Sequence, residues 1–218
     1  SREEEFASSR TRHPQTITYR TGIDKDGFLV AQEMRVIGNT GPYGTHGFTV
    51  QNVTGIRGLS SYNCPAKKFD CHVVYTNIPV PGAYRGYGAP QAEFALECHM
   101  EDIARDLGRD VIEFKRQNWV KVGDRLDIVM YLGERGTAAG TVDPASYPPV
   151  MTSGIEECVA QGQRAAEWHR RDDPAWTHPS DRPHIRRGIG FAFCMHGTGI
   201  PFLDMGGCSI KMNDDGSF

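Results

Sequence analysis

The run Gly82-Ala83-Tyr84-Arg85-Gly86-Tyr87-Gly88-Ala89-Pro90-Gln91 constrains this chain most, because it reads as a junction between a strand and a helix. Before it, Cys71 to Thr76 is β-branched and aromatic, as strands are. After it, Ala92, Leu96, Met100, Ile103 and Leu107 recur at helical spacing. Pro90 suits a first helical turn, where its missing N–H costs nothing, and the free amides beside it face the positive end of the helix dipole. The run therefore fits a binding loop for an anionic or oxo-bearing ligand, and it fits an ordinary glycine-rich turn as well. It lacks the Lys-Ser/Thr of a phosphate-binding loop, and its glycines do not match the dinucleotide fingerprint, so a nucleotide is not expected.

Either side of this junction the pattern mixes helix and strand. Thr16 to Arg20, then Asp26-Gly27, then Phe28 to Ile37 predict a hairpin. Gly38, Gly41, Gly44, Gly47, Gly55 and Gly58 predict a long irregular excursion. The loop helix is expected from about Pro90 to Leu107, stopped by Gly108, followed by a second helix that Asp110 caps and to whose start Glu113 reaches back. Prolines and glycines through residues 126–150 predict a linker. A third helix follows with Ser153 as its cap and Ile155, Val159, Gly162 and Ala166 on one face. Ile189 to Cys194 and Gly207 to Met212 read as two strands. The fold class expected is α+β, with mixed, largely antiparallel sheets and packed helices.

Charge and composition remove some functions. A net charge of -3, with Lys and Arg scattered, gives no electrostatic stripe for nucleic acid. No apolar run reaches the ~18 residues of a membrane span. The cysteines Cys64, Cys71, Cys98, Cys158, Cys194 and Cys208 are widely spread and form no CxxC pair. Reduced thiols, and with them a cytoplasmic location, are expected, and no metal site built from this chain.

The segment Ala83-Tyr84-Arg85-Gly86-Tyr87-Gly88-Ala89-Pro90-Gln91 resembles the Ala-Phe-Arg-Gly-Phe-Gly-Gly-Pro-Gln signature of the xanthine dehydrogenase and aldehyde oxidase family. Thr11-Arg12-His13-Pro14, Asp110 to Asn118 and Ile200-Pro201-Phe202-Leu203 extend the resemblance through nearly the whole chain. It implies parts of two molybdopterin-binding subdomains in a family's large subunit. Residues 1–125 would end the first, 126–150 would link them, and 151–218 would open the second. It further implies a molybdenum-molybdopterin cofactor, iron-sulfur clusters and FAD in partner domains or subunits, and hydroxylation of an aromatic N-heterocycle or an aldehyde. The alternative is a non-catalytic assembly or binding module that keeps the fold without the site.

Residue by residue, the resemblance puts Tyr84, Arg85 and Gly86 against the cofactor, with the Arg85 amide near molybdenum. Arg85 fits equally a salt bridge or a clamp on a carbonyl within the turn. Tyr87 falls where an aromatic ring stacks on a flat substrate, and it could equally be a core tyrosine packed under the loop. Counting back without gaps, the family's substrate-binding Arg falls on Val53, beside Asn52 and Thr54, and its second ring falls on Thr198-Gly199. Thr198 and Gly199 are therefore candidate substrate residues, or part of a plain turn. These departures put xanthine itself in doubt as the substrate. None of the other histidines, His46 among them, carries a partner pattern. The family's upstream Phe-Gly-Gly loop, downstream Gly-Gln-Gly loop and distant general-base Glu are absent here. The chain is thus expected to be truncated at both ends, to hold no catalytic residue and to be inactive alone.

Overall fold

The computed structural model describes residues 1–132, 149–197 and 207–218. Helix α1 (Arg2–Ser8) is capped by Ser1, whose hydroxyl accepts from the Glu4 amide while the Glu4 carboxylate bonds the Ser1 amine, a cap the sequence reading missed. Strands β1 (Gln15–Ile23) and β2 (Leu29–Asn39) form the expected antiparallel hairpin. Its turn is built by Asp24, whose Oδ1 accepts from the amides of Asp26 and Phe28, with Gly27 at a φ of 91°.

Residues 47–58 are not an irregular excursion but helix α2 (Gly47–Gly58). Its glycines serve close packing. A Cβ on Gly47 would lie 2.2 Å from the Thr40 hydroxyl, and one on Gly58 would lie 2.4 Å from the Tyr19 hydroxyl. Gly55 sits against the Phe69 ring at 2.7 Å by the same measure. Without side chains the helix beds onto the sheet, so glycine here marks proximity rather than disorder.

Strand β3 (Ala66–Val74) then pairs parallel with β2, giving the order β1-β2-β3 and one antiparallel and one parallel ladder. A β2–α2–β3 crossover thus stands beside the hairpin, so the sheet is mixed as expected, with one parallel ladder to one antiparallel. Met34, Val36 and Gly38 of β2 are buried, while Arg35 and Ile37 between them are exposed. The mixed α and β class is as read.

Helix α3 (Ala89–Asp106) and helix α4 (Val111–Asn118) lie where expected. Asp110 caps α4 by accepting from the Glu113 amide at 3.0 Å, but Glu113 does not reach back, since its carboxylate pairs with Arg116. One core joins Leu29, Tyr62, Leu96, Met100, Phe114 and Trp119, and a second joins Met34, Val36, Leu59, Ala92 and Ile128. Ile128 belongs to α5 (Asp127–Leu132), a helix in the segment read as linker.

Helix α6 (Ile155–Ala165) starts after Gly154, with the Ser153 hydroxyl accepting from the Ile155 amide at 3.4 Å. Of its expected apolar face only Val159 is buried, in the first core. A short 3₁₀ turn (Trp168–Asp172) and α7 (Pro174–Thr177) follow. The two strands expected at 189–194 and 207–212 are not strands, because neither segment enters a backbone ladder. Residues 191–197 keep the alternation of half-buried and exposed positions, satisfied instead by side chains of α3 and α4.

Candidate functional site

The loop before α3 is held from below by the segment before β1. Thr11 bridges Pro81, its carbonyl accepting from the Gly82 amide at 3.0 Å. Arg12 then grips the turn itself: Nη2 donates to the Arg85 carbonyl at 2.6 Å, Nη1 to Gln91 Oε1 at 3.4 Å, and the guanidinium stands 4.8 Å over the Tyr84 ring. The carbonyl clamp is therefore Arg12, acting on Arg85, and not Arg85 itself. Gln91 completes the brace by donating to the His13 carbonyl at 3.1 Å.

In a trans peptide the N–H points opposite to the C=O, so the grip on the Arg85 carbonyl turns the Gly86 amide the other way. The amides of Arg85 and Gly86 donate to no acceptor among the described residues, and Tyr84 and Arg85 are exposed. Gly86 at φ 87° and Gly88 at φ 94° make the turn possible. A Cβ on Gly88 would lie 2.4 Å from the Val50 carbonyl, so this glycine also lets α2 approach. The beginnings of α2 and α3 meet at this point.

Tyr87 is half-buried at that meeting, neither sealed in the core nor free on the surface. Its hydroxyl lies 2.6 Å from His46 Nδ1, and the two rings meet edge to face with centroids 5.6 Å apart. His46 had no partner pattern in the sequence because the two residues lie forty-one positions apart. Among the candidates on α2, Asn52 and Val53 are half-buried. Thr54 is wholly buried, its hydroxyl donating to the Val50 carbonyl at 2.9 Å and accepting from Gln15. Thr54 is thus a packing residue. Thr198, Gly199 and the Ile200–Leu203 motif lie outside the described residues. Among the described residues no three His, Cys, Asp or Glu side chains gather into a metal-holding group.

A second constellation escaped the sequence reading. Glu93, Glu97 and Glu101 repeat every four residues along α3, beside its apolar stripe. All three bind the C-terminal part of the chain. Glu93 Oε1 accepts from the Met195 amide and Glu97 Oε2 from the Phe193 amide, each at 3.2 Å, and Glu101 pairs with Arg171 at 2.6 Å. Glu97 also accepts from Tyr62 Oη at 2.6 Å and from the wholly buried Lys115 Nζ at 2.8 Å, and Lys115 donates to the Phe191 carbonyl at 3.0 Å. Phe193 packs edge-on to Tyr62 and Trp119. Burial pushes the Glu93 carboxyl up to about 8, the neighbouring Glu97 adding to the effect while the Met195 amide, Ser61 and Arg57 oppose it. Burial and then Glu97 raise the Tyr62 phenol well above its ordinary range. The only sequence signal was the four-residue spacing of acids on a half-buried helix.

Comparison with known proteins gives these sites a context. Residues 1–119 match the molybdopterin cofactor-binding domain family. The chain is 36% identical over its whole length to the probable hypoxanthine oxidase of Escherichia coli strain K12, of which it spans 21%. Over 72% of its length it is 35% identical to the nicotinate dehydrogenase large molybdopterin subunit of Eubacterium barkeri, of which it spans 37%. Among solved structures, the aldehyde oxidoreductase of Desulfovibrio gigas superposes with a TM-score of 0.62 at 25% identity, covering 82% of this chain and 18% of that one.

Proposed function

This chain belongs to the molybdopterin cofactor-binding domain family, and from that premise we propose that it forms part of the large subunit of a molybdenum hydroxylase. The observation that carries the reading is the exposed Tyr84–Gly86 turn. Arg12 holds the Arg85 carbonyl, which turns the Gly86 amide the other way, and among the described residues neither that amide nor the Arg85 amide has an acceptor. That donor set fits an oxo- and phosphate-bearing pterin group, which Tyr84, Arg85 and Gly86 would hold, with the Arg85 amide nearest the metal. When bound, the group supplies the two-electron redox centre for hydroxylating an electron-poor carbon with oxygen from water. Tyr87, half-buried beside that turn, would orient a flat substrate, and Thr198 and Gly199 are proposed as further substrate residues.

The substrate class proposed is an aromatic N-heterocycle, purine- or nicotinate-like, or an aldehyde. The remainder of the subunit would supply the base and the other cofactor loops, and iron-sulfur and FAD domains or subunits would carry electrons away. Residues 1–125 would close one molybdopterin-binding subdomain and 151–218 open the next. Among the described residues no helix is long and apolar enough to cross a membrane. A cytoplasmic location is proposed from the reduced state expected of the widely spread cysteines.

The test is metal analysis with steady-state kinetics on the intact complex. Stoichiometric molybdenum with substrate-dependent electron transfer is expected. A well-folded complex with neither would instead be an assembly module.

A further inference from the structure

The C-terminal segment crosses α3 and α2 in a definite direction. Its Phe193 amide meets Glu97, its Met195 amide meets Glu93 one turn nearer the start of α3, and Gly197 meets Arg57 of α2. A Cβ on Gly197 would lie 2.5 Å from Arg57 Nη2, so glycine lets the backbone close on that side chain. Val53 stands one helical turn before Arg57 and is half-buried like it, and the start of the same helix meets Gly88 through the Val50 carbonyl. From residue 193 to 197 the segment therefore advances toward Val53 and the Tyr84–Gly88 turn. Glu93 is the last carboxylate it meets among the described residues. The side chain is buried, and its Oε1 accepts from the Ser61 hydroxyl as well as from the Met195 amide, each at 3.2 Å. The bond to Met195 is the only hydrogen bond that residues 194–197 make among the described residues.

We propose that Glu93 is a positioning residue for the substrate pocket: by holding the Met195 amide it sets how far Gly197 reaches toward Val53, and with that the width of the pocket. The inference rests on the hydroxylase reading above, in which Val53 falls at a substrate position. Glu93 acts through the backbone and touches neither the turn nor the reacting atoms. It therefore governs the fit of the substrate rather than the chemical step, and a loss of fit common to ground and transition states appears in KM with kcat retained. Glutamine keeps an acceptor oxygen at the same reach, and because burial raises the Glu93 carboxyl to about 8 it also matches the charge at neutral pH. Methionine keeps the length of the side chain without the acceptor.

The test uses the full-length holoenzyme and the variants Glu93→Met, Glu93→Gln and Met195→Pro, the last removing the donated N–H from the other side of the bond. The probe is whichever of hypoxanthine, nicotinate and benzaldehyde the wild type hydroxylates. Glu93→Met and Met195→Pro should each raise its KM about tenfold, the worth of one hydrogen bond, with kcat and molybdenum content retained. The probe's Kd, measured by calorimetry on reduced enzyme without an electron acceptor, should rise alike. Amide hydrogen exchange should quicken at residues 193–197 in these two variants, while Glu93→Gln should match wild type in every readout. Glu101→Gln, which loosens the C-terminal part at Arg171 instead, should leave the KM unchanged. An unchanged KM in either disrupting variant that folds, a fall in kcat in place of the rise in KM, no rescue by glutamine, or loss of fold or molybdenum in both would overturn the assignment and leave the hydroxylase reading standing. A wild-type complex that holds no molybdenum and hydroxylates none of the probes would overturn that reading, and this inference with it.

Discussion

Lys115 is wholly buried, and among the described residues its ammonium has three acceptors within reach, the Glu97 carboxylate and the carbonyls of Glu97 and Phe191. Removing one member of such a pair leaves the other as an uncompensated charge, so Lys115→Met should cost about 3–5 kcal/mol in chemical denaturation. Adding Glu97→Leu should recover part of that loss, although Tyr62 and the Phe193 amide would then lack their acceptor. A double variant as unstable as the sum of its parts would show that the two charges are not coupled. These partners were invisible in the sequence. Lys115 lies eighteen positions from Glu97 and seventy-six from Phe191, and breaks in the chain's regular structure separate it from both, so no single helix or strand period links them. By contrast the Asp110 cap was legible, because a cap is closed by an amide three residues away, and the hairpin turn was legible from Asp26-Gly27 although Asp24, which accepts its amides, was not singled out. Arg12 stands between these cases: its neighbourhood was noticed through resemblance, but its grip on Arg85 spans seventy-three positions.

Helix α2 shows where composition misleads about an element. Glycine lowers helix propensity by about 1 kcal/mol relative to alanine, which favours reading 47–58 as loop. That sum omits the gain from bedding a bare backbone against β2 and β3. Gly58→Ala sets the two effects against each other: propensity gains about 1 kcal/mol, while a Cβ 2.4 Å from the Tyr19 hydroxyl and 2.7 Å from Met34 Sδ forces overpacking of about 1–3 kcal/mol. The net expectation is a lower thermal midpoint, and a rise would mean that Tyr19 and Met34 yield freely. The same logic explains the missing strand at 189–194, whereas residues 207–212 are exposed throughout and have no covered side. Alternation reports that one side of a segment is covered, and it does not say whether a strand or a row of side chains provides the backbone's partners.

For the molecule as a whole, the C-terminal part is fastened to the α3 face by groups that titrate. Burial raises the Glu93 pKa from 4.5 to about 8, so between these values the folded chain binds a proton that the unfolded chain has released. Stability from this group is therefore fully present below about pH 4.5 and is lost as pH rises through about 8. Burial lowers the pKa of His99 and works in the opposite sense, but it is common to wild type and variant. Glu93→Gln should thus flatten the fall in thermal midpoint from pH 5 to 8; an unchanged slope would place the proton elsewhere. Just before α3, Arg12→Ala should free the Arg85 carbonyl and lower molybdenum retention in the intact complex, while the thermal midpoint moves little. Full molybdenum with a loosened loop would separate the clamp from the cofactor.

The fastening also has a geometry of its own. Four residues of helix rise ~6.0 Å, whereas two residues of extended chain advance ~6.7 Å. Two scales so nearly matched behave as a vernier: they coincide over a short interval and drift apart beyond it, the helix also turning by ~40° at each step. Met195 on Glu93 and Phe193 on Glu97 are the coincident marks. One mark further the backbone no longer keeps step. Glu101 is met by the long side chain of Arg171, and the Phe191 carbonyl is taken by Lys115. Sliding the segment by one residue would turn both amides away from the carboxylates, and sliding it by two would take Phe193 out of its contacts with Tyr62 and Trp119, so backbone and side chain together fix its register.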